Sequence, residues 1–189
     1  MISLVEGLWR ADHSQLRPGE RPNFPDISQK YRQTVRGECE VKNGLVVGEN
    51  ASNVTIAGLA VEHTTEDQTV WNGDDGKVYF YQCELPYDAD QSFSEQKFVG
   101  YRVGPGVAKH KAIGLGVYSN FRDHSLEVAT AVVHPECDGI NLRNIFTVKL
   151  DNQGAIRSVV NGRGPGPARN DLERGRPYRC RDQRCSDLH

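Results

Sequence analysis

The sequence predicts an all-β chain wound as a parallel β-helix. Short β-branched or aromatic runs recur along it, bounded by Gly, Asn or Asp. No amphipathic helix of useful length appears among the 189 residues. Two similar segments, 54–63 and 77–88, repeat with an offset of 22 residues from Ile56 to Val78. A unit of roughly 20–25 residues, each holding a short strand, is how a β-solenoid reads in sequence.

Taken in order, a first unit lies near the N-terminus, where Asp12-His13 echoes Glu62-His63. Residues 14–40 carry little periodicity, and Pro18, Gly19, Pro22 and Pro25 mark an irregular insertion. Strands are then expected over 44–47, 54–61, 77–83, 99–103, 113–118, 129–133, 145–150 and 156–160. A turn of helix is expected within 92–97. The run Asn53-Val-Thr-Ile-Ala-Gly-Leu is nearly continuous in apolar residues, which favours parallel sheets over a sandwich or jelly roll. The offset of 23 from Val78 to Tyr101 extends the repeat to a third unit. Alternation puts Tyr79 and Tyr81 on one face and Phe80 on the other. The domain therefore covers 1–165. After it, 166–189 is crowded with Arg and almost free of apolar residues, which reads as a disordered tail.

Bulk properties exclude several partners. A net charge of −2 gives no basic footprint for nucleic acid. Mean hydropathy is −0.60, and no apolar run nears the roughly 20 residues that span a bilayer. Cys39, Cys83, Cys137, Cys180 and Cys185 form no C-x-x-C pair, so no zinc site is expected. A Cys180–Cys185 disulfide stays open, and Asn50 and Asn53 each satisfy the N-glycosylation pattern.

The chemistry centres on acids. Asp12, Glu62 and Glu84 occupy equivalent places in three similar segments, so stacking would line them up as a column. Paired strands lie about 4.8 Å apart. A column of carboxylates is costly unless solvated, metal-bound or used. Cleavage of a glycosidic bond uses two carboxyl groups, about 5–5.5 Å apart with retention or about 6.5–9.5 Å with inversion. Asp12, Glu62 and Glu84 are the candidate catalytic residues, and solvated acids on an open face are the alternative. Trp9, Trp71 and Tyr87 are candidate sugar platforms, with His63 and Asp88 as polar contacts; ladder stacking in the core competes for the aromatics. His110, His124 and His134 show no ligand spacing and read as surface residues. No metal or cofactor is expected, although Asp74-Asp75-Gly76 with Asn72 is a weak calcium-like turn. Lyase chemistry needs a base, for which Arg10, Arg102 and Lys109 are available. No Gly-x-Ser-x-Gly and no P-loop is present, which argues against a serine hydrolase and against nucleotide chemistry.

A set of motifs in fixed order adds a resemblance. It comprises Leu8-Trp-Arg-Ala-Asp-His13, Asn43-Gly-Leu-Val-Val47, Asn53-Val-Thr-Ile-Ala-Gly-Leu-Ala-Val-Glu-His63, Val70-Trp-Asn-Gly73, Val78-Tyr-Phe-Tyr-Gln82, Glu84-Leu-Pro-Tyr-Asp88 and Gly114-Leu-Gly-Val-Tyr118. Over residues 7–165 the chain resembles the C-terminal part of large secreted glycosyl hydrolase-like proteins of bacteria and fungi. These have a pectate-lyase-like right-handed parallel β-helix, and some are labelled coagulation factor 5/8-type-domain or adenylyl cyclase proteins. The resemblance implies a partial solenoid, a carbohydrate-active function with hydrolase before lyase, a polysaccharide or oligosaccharide partner and an extracellular location. Family members are longer and carry a leader, whereas Met1-Ile-Ser-Leu-Val-Glu-Gly is not a signal peptide. The chain is therefore expected to begin inside the helix, as a fragment, a truncated gene model or a shortened paralogue, with an uncapped end available for self-association. A glycan-binding or structural β-helix without chemistry, or an inactive truncated fragment, is the alternative.

Overall fold

A computed structural model describes residues 2–4, 40–122, 124–150 and 153–164. The strands are β1 (Ile2–Leu4), β2 (Leu45–Val47), β3 (Thr55–Glu62), β4 (Thr69–Trp71), β5 (Gly76–Glu84), β6 (Tyr101–Val103), β7 (His110–Ser119), β8 (Glu127–Val128), β9 (Val132–Val133), β10 (Ile140–Lys149) and β11 (Ala155–Ile156). One short helix, α1 (Gln91–Glu95), lies between β5 and β6. The fold is all-β, with its strands in parallel sheets, as a parallel β-helix requires.

The chain visits two sheets in alternation. Its short strands form one sheet in the order β1-β2-β4-β6-β9, and its long strands a second in the order β10-β7-β5-β3. Strands β8 and β11 make a third, small sheet. Among the described strands every pairing is parallel except β1 on β2. The expected neighbours Ile56 and Val78 are register partners, and so are Glu62 and Glu84.

The third unit needs correction. Val78 pairs with Ala112, not with Tyr101; Tyr101 lies in the other sheet beside Thr69. The segment between β5 and β6 is longer than its counterpart between β3 and β4 because it holds α1. Asp90 caps α1 by accepting from Ser92 N at 2.9 Å. Buried Phe93 anchors it and meets Phe98 edge-on, with ring centres 5.5 Å apart.

The core lies between the sheets and is built from stacked columns. Val47, Trp71 and Val103 stack in the short-strand sheet, and Val61, Cys83 and Val117 in the long-strand sheet, all of them buried. Each such aliphatic contributes roughly 1.5–3 kcal/mol by leaving water. Gly76 lets the backbone pass the Trp71 ring: a Cβ there would sit 2.3 Å from Trp71 Nε1.

The long strands bend at one column. Gly58, Phe80, Gly114 and Asn144 have φ of 71°, 59°, 77° and 53°. They fall at the same gap in the register of four adjacent strands. A left-handed residue interrupts the period-2 alternation of a strand. In β5, Val78 and Tyr81 are consequently both buried, while Tyr79 is half-buried and Phe80 exposed. The shared face expected for Tyr79 and Tyr81 does not exist. Tyr81 turns inward and donates to Gly100 O at 2.7 Å. Tyr79 has Lys111 Nζ 5.7 Å over its ring.

Candidate active site

Beyond the bend, alternation resumes. In β5, Tyr81 and Cys83 point into the core, and Gln82 and Glu84 point out. On β3, Val61 is buried and Glu62 exposed. The in-register pair Glu62–Glu84 therefore lies on the outer face of the long-strand sheet. The next position in this column is Tyr118, so the acids described stop at two.

Side chains from four segments converge here. The Tyr87 hydroxyl donates a short hydrogen bond to Glu84 Oε2. Gln82 Nε2 donates to Glu62 Oε1 at 3.3 Å, tying adjacent strands together. His63, at φ 58°, turns the chain at the end of β3, and its amide donates to Glu84 O at 3.0 Å. Its ring meets Tyr87 edge-on at 4.3 Å, and its Nε2 lies 3.8 Å from Glu84 Oε2. Arg122 sits 5.6 Å over the Tyr87 ring. Tyr118 packs edge-on with Phe146, their ring centres 6.1 Å apart.

The electrostatics follow from partial burial next to charge. Burial lowers the His63 pKa against the opposing pull of Glu84, Glu62 and Asp88, with Arg122 adding to the fall. His63 is thus neutral at pH 7 and approaches Glu84 as a dipole. Burial, then the bond to Glu84, pushes the Tyr87 hydroxyl up to about 12, so it remains a donor throughout the working range. Burial and Glu84 also raise Tyr118.

The site residues expected from sequence fare unevenly. Glu62, His63, Glu84 and Tyr87 come together, and exposed Asp88 lies near enough to act on His63. Trp9 and Asp12 lie outside the described residues. Trp71 is corrected: it is fully buried, its Nε1 donates to Gly73 O at 2.9 Å, and its ring packs on His110 at 4.8 Å. A ring with no exposed face is no sugar platform. His110 is corrected from surface to core, being 1% exposed with Nε2 3.0 Å from Tyr101 Oη. Gln82, Tyr118 and Arg122 were missed. Alternation back from Glu84 points to Gln82, whereas Arg122 has no sequence signal.

Other candidates are occupied elsewhere. Asp74 Oδ1 accepts from the amides of Ala108 and Lys109, and Asp75 pairs with Lys109 at 2.9 Å. The Asp74-Asp75-Gly76 turn thus joins one strand level to the next. Arg102 binds Asp67 through Nε and Nη2 at 2.6 and 3.0 Å. Neither Lys109 nor Arg102 stands beside the carboxyl pair as a lyase base. Among the described residues no helix is long and apolar enough to cross a membrane.

Comparison with known proteins shows what the chain is similar to. A family model described as the LAM55 pectate lyase-like domain matches residues 5–84, ending on Glu84. An exo-β-1,3-glucanase of Streptomyces sp. (strain SirexAA-E / ActE) is 28% identical over 163 residues, covering 83% of this chain and 24% of that protein. These matches support a pectate-lyase-like, carbohydrate-active family. The structure of sacteLam55A from Streptomyces sp. SirexAA-E agrees with a TM-score of 0.65 at 28% identity, covering 68% of this chain and 24% of that one. A glutamate-to-alanine variant of sacteLam55A in complex with glucose gives the same TM-score at 27% identity. The chain thus spans about a quarter of the length of these relatives. Coagulation factor 5/8 and adenylyl cyclase labels find no counterpart among these matches.

Proposed function

We propose that this chain carries the carboxyl pair of a glycoside hydrolase acting on a β-1,3-linked glucan. The observation that carries the reading is the in-register, outward-facing pair Glu62 and Glu84, held by Gln82 and Tyr87. The chain's similarity to an exo-β-1,3-glucanase supports this choice of substrate class. Glu84, fixed by Tyr87, protonates the glycosidic oxygen as the C–O bond breaks. Glu62, open to solvent, acts on the opposite side. It either takes a proton from the attacking water or bonds directly to the anomeric carbon. Neutral His63 and protonated Tyr87 then serve as hydrogen-bond donors for sugar hydroxyls and for the carboxylate. In this reading the sheets are a segment of a right-handed parallel β-helix, the protein works outside the cell, and Asp88 lies at the rim of the substrate groove.

The test is sugar release from a panel of β-1,3-glucan, β-1,4-glucan, mixed-linkage glucan and polygalacturonate. Release from β-1,3-glucan alone or foremost is expected. Binding to a glycan with no release from any member would replace this reading with a non-catalytic binding one. Unsaturated products from polygalacturonate would replace hydrolysis with elimination.

A further inference from the structure

We propose that Phe80 is an outlying sugar-stacking residue of the Glu62–Glu84 groove, gripping the substrate chain beyond the sugars at the carboxyl pair. This rests on the reading of that pair as glycan-cleaving. Phe80 is 76% exposed; among the described residues the other exposed large hydrophobic is Leu150, at 42%, just past the end of β10. Phe80 also holds φ at 59°, a region where a bulky side chain is rare. The neighbouring strands meet the same bend with Gly58 and Gly114, which adopt it freely. The chain thus places a large ring where folding favours glycine, and gains no burial for it. Strain without packing points to function.

The surroundings suit a flat, partly apolar ligand. A Cβ built on Gly58 would meet nothing within 4 Å, so the ring is open on the β3 side. A Cβ on Gly114 would lie 3.6 Å from Phe80 Cδ1, so the ring stands against bare backbone on the β7 side. An aromatic face open above small residues can stack on the apolar face of a pyranose. Phe80 also continues the site. Phe80, Gln82 and Glu84 occupy the outer side of β5, and roughly 13 Å of strand separates the first from the last. Gln82 is tied to Glu62, and its register partner Gly116 lies under Phe146. A continuous outer path thus runs from the ring to the carboxyl pair. Two exposed large apolar side chains among the described residues, one on β5 and one just past β10, are too few for a protein interface, which buries about 800 Å² per partner.

The test compares the unsubstituted protein with Phe80→Ala and Phe80→Gly on long β-1,3-glucan and on its trisaccharide. Both variants should raise KM on the long chain by about tenfold, leave kcat unchanged and leave the trisaccharide unaffected. Phe80→Gly should have a Tm no lower than the unsubstituted protein, since it relieves the backbone. In a Glu84→Gln background, calorimetry should show the same tenfold loss of long-chain affinity. Unchanged long-chain KM and affinity overturn the proposal, as does an equal loss on the trisaccharide. A lowered Tm or a changed oligomeric state overturns it in favour of a ring that packs on protein. Full turnover by Glu84→Gln instead removes the underlying reading of the carboxyl pair, and no glucan binding by the unsubstituted protein removes both.

Discussion

The Tyr87 hydroxyl donates to Glu84 Oε2, three residues back along the chain, while the Tyr87 ring meets His63 edge-on and carries Arg122 over it. Tyr87 therefore positions the acid, in addition to any contact it makes with sugar. Removing only its oxygen should release Glu84 and keep the ring packing. Phe at position 87 is expected to cost about 1–2 kcal/mol of stability. It should lower kcat by roughly 10- to 100-fold with little change in KM, because misplacing a catalytic group by an ångström costs about that much. Steady-state kinetics with the soluble glucan read this split. A raised KM at constant kcat would assign Tyr87 to substrate binding alone.

Trp71 separates a core role from a sugar platform. Its ring is fully buried against His110 and is approached by the Gly76 backbone. Trp71→Ala should lose about 3–5 kcal/mol in urea unfolding. Near-native stability with lost glucan affinity would restore the platform.

His110 makes stability fall in acid. Burial lowers its pKa from the ordinary 6.5 to about 4, with His134 adding a little. The unfolded chain binds a proton below pH 6.5, whereas the folded chain resists it until about 4. Stability present above pH 6.5 is therefore lost as pH falls through that window, by about 3 kcal/mol in total. His63, also lowered by burial, adds to the same acid limb. NMR titration should show the His110 ring unchanged between pH 7.5 and 5.5. A midpoint near 6.5 would contradict its burial.

The Glu62–Glu84 register is legible in the sequence because the paired stretches 55–62 and 77–84 are of equal length and pair position for position, with no insertion inside either. The same reasoning failed at Tyr101, where α1 lengthens the next turn of the chain and shifts the partner of Val78 to Ala112. It failed at Tyr79 and Tyr81 because alternation assumes an unbroken strand, and one left-handed residue at Phe80 resets the faces. Trp71 looked available because aromatic rings serve cores and sugars equally well; only the close approach of Gly76 decides between them. Arg122 reaches Tyr87 from beyond the end of β7, a juxtaposition that local patterns do not encode.

The central claim is that Glu62 and Glu84 together cleave a β-1,3-glucan. The most direct measurement is the rate of sugar release by Glu62→Gln and Glu84→Gln beside the unsubstituted protein, with unfolding midpoints taken on the same samples. Each substitution removes a titrating oxygen and keeps the shape, so each is expected to lower kcat by about 10²–10⁴-fold, the usual contribution of a general acid or base. Their midpoints should stay near that of the unsubstituted protein, because both side chains lie on the outer face of the sheet. Either variant releasing sugar at the full rate, while remaining folded, would contradict the claim.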